Sequence, residues 1–316
     1  MQGPTSFADD LKRDYSPRLI GDLEGAWLAL ESALSKFVQN GEPLKELDLS
    51  SLTHAVQQWD SIVAIDLDAA FFVASKQEQP RKILGQGLAL RRSLRLATIS
   101  GIIAFSLKST VADRLDVMLA GLLHDLSSAD VPSDSSHLLE SSRRLESIAG
   151  ISPGCLRLIE EVHEQIDGSG FPRGKNRTEL HPMAPLLNLV DAYLTLLENL
   201  EDRPALSPAD AVAYLIYHTR EGRFDLNCMR AFLASTSMYP IGTRVSLDDQ
   251  AVGTVVRSTG NTFTSPIIRI DDGKETMIDL RSSHHFITEP LSESGNFLHG
   301  RLPLSEFSSI LWRKQK

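Results

Sequence analysis

The chain has only two cysteines in 316 residues, Cys155 and Cys228. Two thiols cannot build a disulfide framework, and each reads as a core or half-buried side chain of a protein from a reducing compartment. Long apolar runs are also missing. The most hydrophobic stretches, SIVAIDLDAAFFVA and ISGIIAFSL, are either broken by Asp66 and Asp68 or too short to span a bilayer, so no membrane contact is expected. The opening MQGPTSFADDLKRDY has no apolar core behind a basic cap, unlike a secretory leader, and the expected address is the cytoplasm. Positive charge is in deficit: 32 Lys and Arg against 41 Asp and Glu give a net charge of −9. That balance argues against nucleic acid or anionic lipid as a partner, and an anionic ligand would need a local positive centre.

What is present is the composition of an ordinary globular protein, with 42% hydrophobic and 23% charged residues, enough for one large domain with attachments or for two domains. Apolar residues recur at helical spacing over 19–38 (Leu23, Trp27, Leu30, Ala33, Leu34). Similar patterns run through 52–75, 83–107, 113–126, 136–149, 154–165, 183–199, 208–220 and 225–235. After Tyr239-Pro240 the pattern changes. RVSLDDQAVGTVVRS and SPIIRIDDGKETMIDL alternate β-branched residues with turn signals at Asp248-Asp249, Thr259-Gly260-Asn261 and Asp271-Asp272-Gly273, as short antiparallel strands do. The expectation is a mainly α protein: an N-terminal helical region (1–80), a helical domain (81–239) and a small β-rich module (240–316). The apolar stripe over 19–38 needs a cover, either the helical body, a protein partner or a second copy of the chain in a homodimer.

Several polar residues stand where the apolar pattern would favour something else. His124-Asp125 ends the apolar run VMLAGLLHD, His137 opens the next helix, and Asp191 interrupts LLNLVDAYL. His163 closes a helix just before HEQIDGSGFP breaks into turn signals at Asp167-Gly168 and Ser169-Gly170. A single histidine on an apolar face is usually a satisfied core residue, and a helix C-cap would explain His163. Asp191 is harder to dismiss, because an unpaired buried carboxylate costs several kcal/mol or must neutralise itself. Taken together, histidines and carboxylates of this kind suit divalent metals that prefer oxygen and nitrogen ligands.

In the order and spacing of its blocks the chain resembles the HD-GYP family, a branch of the HD superfamily that hydrolyses cyclic di-GMP. The resemblance runs over roughly residues 60–280. It is carried by AGLLHDLSSADVP, HLLESSRRLESIAGIS, VHEQIDGSGFPRG, TELHPMAPLLNLVDAY and YPIGTRVSLDDQAVGTVV. It implies an HD-type helical bundle and a metal set of His124, Asp125, His137, His163 and Asp191, with Asp125 as the bridging carboxylate and hence the catalytic centre. It further implies one or two ions, iron or manganese, and a DGSGFP loop, including Gly170 and Phe171, at the rim where the dinucleotide would lie. One division of ligands would give His124, Asp125 and Asp191 to one ion and Asp125, His137 and His163 to the other. Two ions roughly 3.5–4 Å apart would bind phosphodiester oxygens and lower the pKa of a bridging water.

Departures from the family pattern fall on the same positions. Arg92 stands where the first histidine ligand is expected, Val162 replaces one of a His-His pair, and Ser127-Ser128 replace a Gly-Lys. Leu194 replaces a second aspartate, and Phe171 the signature tyrosine. Arginine stays protonated and cannot ligate a metal, yet it is well suited to phosphate. Arg92 and Arg173 are therefore candidate contacts for the ligand, as are the rings of Phe171 and Tyr193, with a core position the other reading of Tyr193. His54, His181, His218, His284, His285 and His299 match nothing in the pattern and read as surface or structural. The expected function is a cyclic di-GMP signalling protein that binds metal, the dinucleotide or its linear product, with weak or no hydrolysis. The alternative is an active di-metal phosphodiesterase working with the reduced ligand set.

Overall fold

The computed structural model describes residues 15–39, 49–75, 86–125, 137–199, 205–274 and 276–291. Its helices are α1 (Pro17–Gln39), α2 (Ser50–Val63), α3 (Leu67–Ser75), α4 (Gln86–Ser106), α5 (Val111–Leu123), α6 (His137–Leu145), α7 (Pro153–Glu161), α8 (Ala184–Leu196), α9 (Pro208–Arg220) and α10 (Leu226–Thr236). The strands β1 (Arg244–Leu247), β2 (Val252–Arg257), β3 (Ile267–Ile270), β4 (Met277–Asp279) and β5 (Ile287–Pro290) form an antiparallel sheet in the order β4-β3-β2-β1-β5. The mainly α class with a small C-terminal antiparallel sheet is what the periodicity predicts. Among the described residues no helix is long and apolar enough to cross a membrane.

Local chemistry sets many of the helix starts. Thr110 and Asp113 form a reciprocal capping box at α5, Ser152 caps α7 ahead of Pro153, and Ser207 caps α9 ahead of Pro208. Each hydroxyl accepts from an amide that the first helical turn leaves without a partner. The one pattern read over 52–75 is two helices, because Ala64, Ile65 and Asp66 break the run.

One apolar core joins the helices. The stripe of α1, from Ile20 and Leu23 through Leu30, Leu34 and Phe37, is buried among residues of α2, α3 and α4 within the same chain. This face therefore needs no second copy to cover it. Helix α8 is buried along its whole length, as a helix apolar all round must be, and that places Asp191 in the centre of the body. Beside it α4 and α5 pack closely at Gly121, where a Cβ would lie 2.9 Å from the Ala97 backbone. The missing side chain lets the two helices approach, and the end of α5, carrying His124, is brought against α4, which carries Arg92.

The sheet is tied to the helical body by a polar seam. Arg257 on β2 donates to Asp66 at 2.6 Å and lies over the Tyr15 ring at 4.4 Å. Tyr15 donates to the Val256 carbonyl oxygen at 2.6 Å, and Ser258 donates to Asp68 at 2.6 Å. Burial, opposed by the Ser258 hydrogen bond, pushes the Asp68 carboxyl up to about 6 from 3.8. The folded state thus prefers the neutral acid, so this contribution to stability is present below about pH 4 and is lost as pH rises through 6. Thermal melts of the wild type and Asp68→Asn should show a wild-type deficit that grows from pH 4 to pH 7 by up to about 2 kcal/mol. A gap that stays constant across that range would remove the assignment.

Candidate functional site

His124 is the C-cap of α5, and its Nδ1 lies 3.0 Å from the Gly121 carbonyl oxygen, which turns Nε2 toward Asp125 Oδ2 at 3.1 Å. That Nε2 is buried and makes no well-aligned hydrogen bond. His137, the first residue of α6, places its Nε2 3.6 Å from Asp125 Oδ1. Asp125 therefore sits between two imidazoles. Burial would raise its pKa, but His124, then His163 and Arg92, outweigh that and hold the carboxyl well below its usual range. Burial likewise opposes protonation of His124, and the attraction of Asp125 prevails, drawing a positive charge onto the ring. A proton can satisfy the facing Nε2 and carboxylate oxygen, and so can a divalent cation. The donor types of His124, Asp125 and His137 suit one divalent ion, although their ligand atoms do not all lie within 4.8 Å of one another.

The second half of the site is built differently. His163 lies just beyond the end of α7, and its Nδ1 is 3.2 Å from Asp191 Oδ2, not grouped with His137 around Asp125. The other Asp191 oxygen accepts from Arg92 of α4. Arg92 also donates to Thr195 Oγ1 at 2.7 Å and pairs with Glu198 at 2.9 Å. Burial works against the guanidinium charge, and Asp191, Glu198 and Asp125 more than restore it. Burial works against the Asp191 carboxylate too, and Arg92 with His163 keeps it ionised. Here a fixed organic cation already faces one carboxylate oxygen, while the other, Asp191 Oδ2, is buried without a well-aligned hydrogen bond. The rings of His124 and His137 approach His163 at 6.3 and 5.6 Å between centroids, so both halves share one buried cluster.

The loop after His163 folds back on the helix end. The Phe171 amide donates to the His163 carbonyl oxygen at 3.2 Å, which brings Gly170 against the backbone. A Cβ at Gly170 would lie 2.2 Å from Gln165 N and 2.5 Å from both Glu164 Cα and the His163 carbonyl oxygen. Backbone atoms cannot rotate away, so glycine is required there. Glu164, 1% exposed, accepts from the amides of Arg173 at 2.7 Å and Lys175 at 2.9 Å and pins the far side of the loop. The result seats the Phe171 ring 4.9 Å from that of His163. Gly170→Ala should therefore destabilise the protein by about 1–3 kcal/mol, as overpacking against rigid neighbours does. Gly25→Ala, with nothing within 4 Å of the new methyl, serves as the control in the same melts. Equal melting temperatures for the two variants would disprove the close approach.

The remaining candidates are placed as follows. Arg173 is half exposed and pairs with Glu160 at 3.0 Å. Tyr193 is 2% exposed and packs edge-on against Phe232 at 5.0 Å; it is a core residue and offers no stacking face to a ligand. Val162 and Leu194 are buried. His218 is enclosed between Tyr214 and Tyr217 and contacts Glu221. Cys155 and Cys228 are buried free thiols. Ser127, Ser128 and His299 lie outside the described residues. Sequence reasoning missed Thr195, Glu198 and Glu164. Thr195 could have been found one helical turn after Asp191, whereas the role of Glu164 depends on where a loop returns. It also missed Asp248, Asp249 and His285, whose ligand-type atoms lie within 4.8 Å of one another at an exposed turn of the sheet. There Asp248 accepts from the Phe286 amide at 3.2 Å and contacts His285 Nδ1 at 3.1 Å, as turn residues do.

Comparison with known proteins gives a consistent picture. An HD domain model matches residues 153–228. Among curated proteins, the chain is 24% identical over 168 residues to "Cyclic di-GMP phosphodiesterase PA4108" of Pseudomonas aeruginosa, covering 48% of this chain and 40% of that protein. It is 26% identical over 166 residues to "3'3'-cGAMP-specific phosphodiesterase 3" of Vibrio cholerae, covering 47% of this chain and 35% of that protein. The match thus spans well under half the length of either relative. Among solved structures, Bd1817, described as a HDG"Y"P protein from Bdellovibrio bacteriovorus, superposes with a TM-score of 0.54 at 16% identity over 68% of this chain and 71% of that one. At that identity the likeness concerns the fold.

Proposed function

The chain is a member of the HD-GYP family, and from that premise we propose that it binds a cyclic dinucleotide at the Asp125–Asp191 site and hydrolyses it slowly or not at all. Cyclic di-GMP and its linear product are the first ligands to consider, given the activities named for its relatives. The observation that carries this reading is the guanidinium of Arg92 seated on Asp191. Two like unit charges about 4 Å apart repel by about 4 kcal/mol at an effective dielectric constant near 20, and a divalent ion doubles that. A second metal beside Arg92 is correspondingly disfavoured.

His124, Asp125 and His137 would hold one divalent ion, iron or manganese, which when bound supplies a Lewis acid and a water of lowered pKa. The chain's own groups do the rest. Gly121 O fixes the His124 ring so that Nε2 faces Asp125. Arg92 holds Asp191 ionised and contributes positive charge to the cluster without being able to take a proton from water. The Gly170–Phe171 turn closes one edge over His163. This geometry serves phosphate recognition better than phosphodiester cleavage, which needs a nucleophile held in fixed geometry by a complete ligand shell.

The test is metal analysis of protein produced under metal-replete conditions. At most one ion per chain is expected, with the content lowered several-fold by Asp125→Ala or His137→Ala and unchanged by Asp191→Asn. Two ions per chain, or loss of metal on Asp191→Asn, would restore Asp191 as a ligand and return the reading to a di-metal hydrolase.

A further inference from the structure

Helix α4 carries a second arginine on the face that bears Arg92. Positions 92 and 95 lie three apart and therefore on one side of a helix. Arg92 has its donors engaged: Asp191, Thr195 and Glu198 take them. Arg95 does not. Its Nε is buried without a hydrogen-bond partner among the described residues. Burial lowers its pKa; Tyr193 and Glu198 act the other way, and the neighbouring Arg92 charge adds to the lowering. Glu198, whose negative charge also acts on Arg95, is engaged with Arg92.

A guanidinium whose buried Nε lacks a hydrogen bond is costly to hold, and the cost grows beside another cation. Such a group is not retained for packing, since methionine or leucine would fill the same volume at lower free energy. Its planar fork of donors matches the paired non-bridging oxygens of a phosphate. We propose that Arg95 receives a phosphate of the bound ligand, with Arg92 acting as the internal counter-ion of Asp191 and Glu198. The two arginines of α4 thereby divide two tasks, one holding Asp191 and Glu198 together and the other recognising the anion. This rests on the reading of the site as a cyclic dinucleotide site and names the residue that makes it selective for phosphate. A chain of net charge −9 obtains the local positive centre from α4.

The experiment compares wild type, Arg95→Met and Arg95→Lys by calorimetric titration with cyclic di-GMP and by thermal shift with inorganic pyrophosphate. Arg95→Met should weaken cyclic di-GMP binding on the order of ten- to a hundredfold, the range for losing a charge-assisted bidentate contact. Its melting temperature without ligand should be equal to or above that of wild type, because a cation with a buried, unbonded Nε is gone. Arg95→Lys, which keeps the charge and loses the fork, should fall between the two in affinity. Unchanged affinity in Arg95→Met would overturn the assignment and leave the dinucleotide reading intact. A large drop in its ligand-free melting temperature would overturn it too, by making Arg95 a structural residue. If wild type ignores cyclic di-GMP yet pyrophosphate stabilises it in an Arg95-dependent way, the anion site stands and the dinucleotide reading fails. If neither ligand acts on wild type, both fail.

Discussion

Changing Arg92→His, Val162→His and Ser128→Lys together is expected to raise the rate of cyclic di-GMP hydrolysis by on the order of 10²-fold or more over the wild-type chain. Each replacement supplies one feature that the resemblance to HD-GYP proteins leads one to expect at that position. Arg92→His removes the cation that faces Asp191 and frees both carboxylate oxygens for metal. Val162→His adds an imidazole beside His163, from a position whose carbonyl oxygen is already fixed by Asn188 at 3.1 Å. Ser128→Lys supplies a charge for the transition state, where the loss of one electrostatic group typically costs 10²–10³ in rate. Val162 is fully buried, so circular dichroism and a thermal melt must first show that the variant folds. Adding Asp125→Ala to the triple variant should return the rate to the wild-type level. A folded, metal-loaded triple variant no faster than wild type would show that the substitutions are not what limits hydrolysis. Brisk turnover by the wild type would show that the reduced ligand set suffices.

The second large effect concerns stability. Asp191→Ala leaves the half-buried Arg92 without its main counter-charge, and breaking one partner of a buried pair costs about 3–5 kcal/mol. For a domain of this size that amounts to a fall in melting temperature on the order of ten degrees. The double change Arg92→Met with Asp191→Leu removes both charges and should recover most of the loss, because a well-packed apolar pair can match a buried ion pair. The measurement is a double-mutant cycle by chemical denaturation. Strictly additive single and double effects would mean that the two side chains are not coupled, and the account of Arg92 as the resident cation would fall. Run on metal-free protein, the cycle also distinguishes a guanidinium partner from a ligand role for Asp191.

Much of this protein could be read along the chain. The helices follow from apolar residues at intervals of three and four, and their starts from Thr110, Ser152 and Ser207, whose hydroxyls act on amides within the next turn. The strand region announced itself by alternation and by its Asp and Gly turns. These are short-range effects, fixed by neighbours in sequence. The residues of the buried site were also visible, because a charge or an imidazole in an apolar run is anomalous wherever the chain folds.

What each of those residues touches was not visible. The Arg92–Asp191 pair joins residues 99 apart, and the sequence alone allowed Arg92 to face a phosphate as readily as a carboxylate. Only the packing of α4 beside α5 and α8, which Gly121 permits, puts that guanidinium on Asp191 and assigns His163 to the same carboxylate. The burial of Tyr193 against Phe232, the covering of the α1 stripe by the chain's own core, and the grip of Glu164 on its loop are likewise tertiary. Sequence determined which groups are present and the local geometry of each element. The tertiary structure decided which charges meet, because electrostatic partnership depends on distance and burial, and both are set by helices that are remote along the chain.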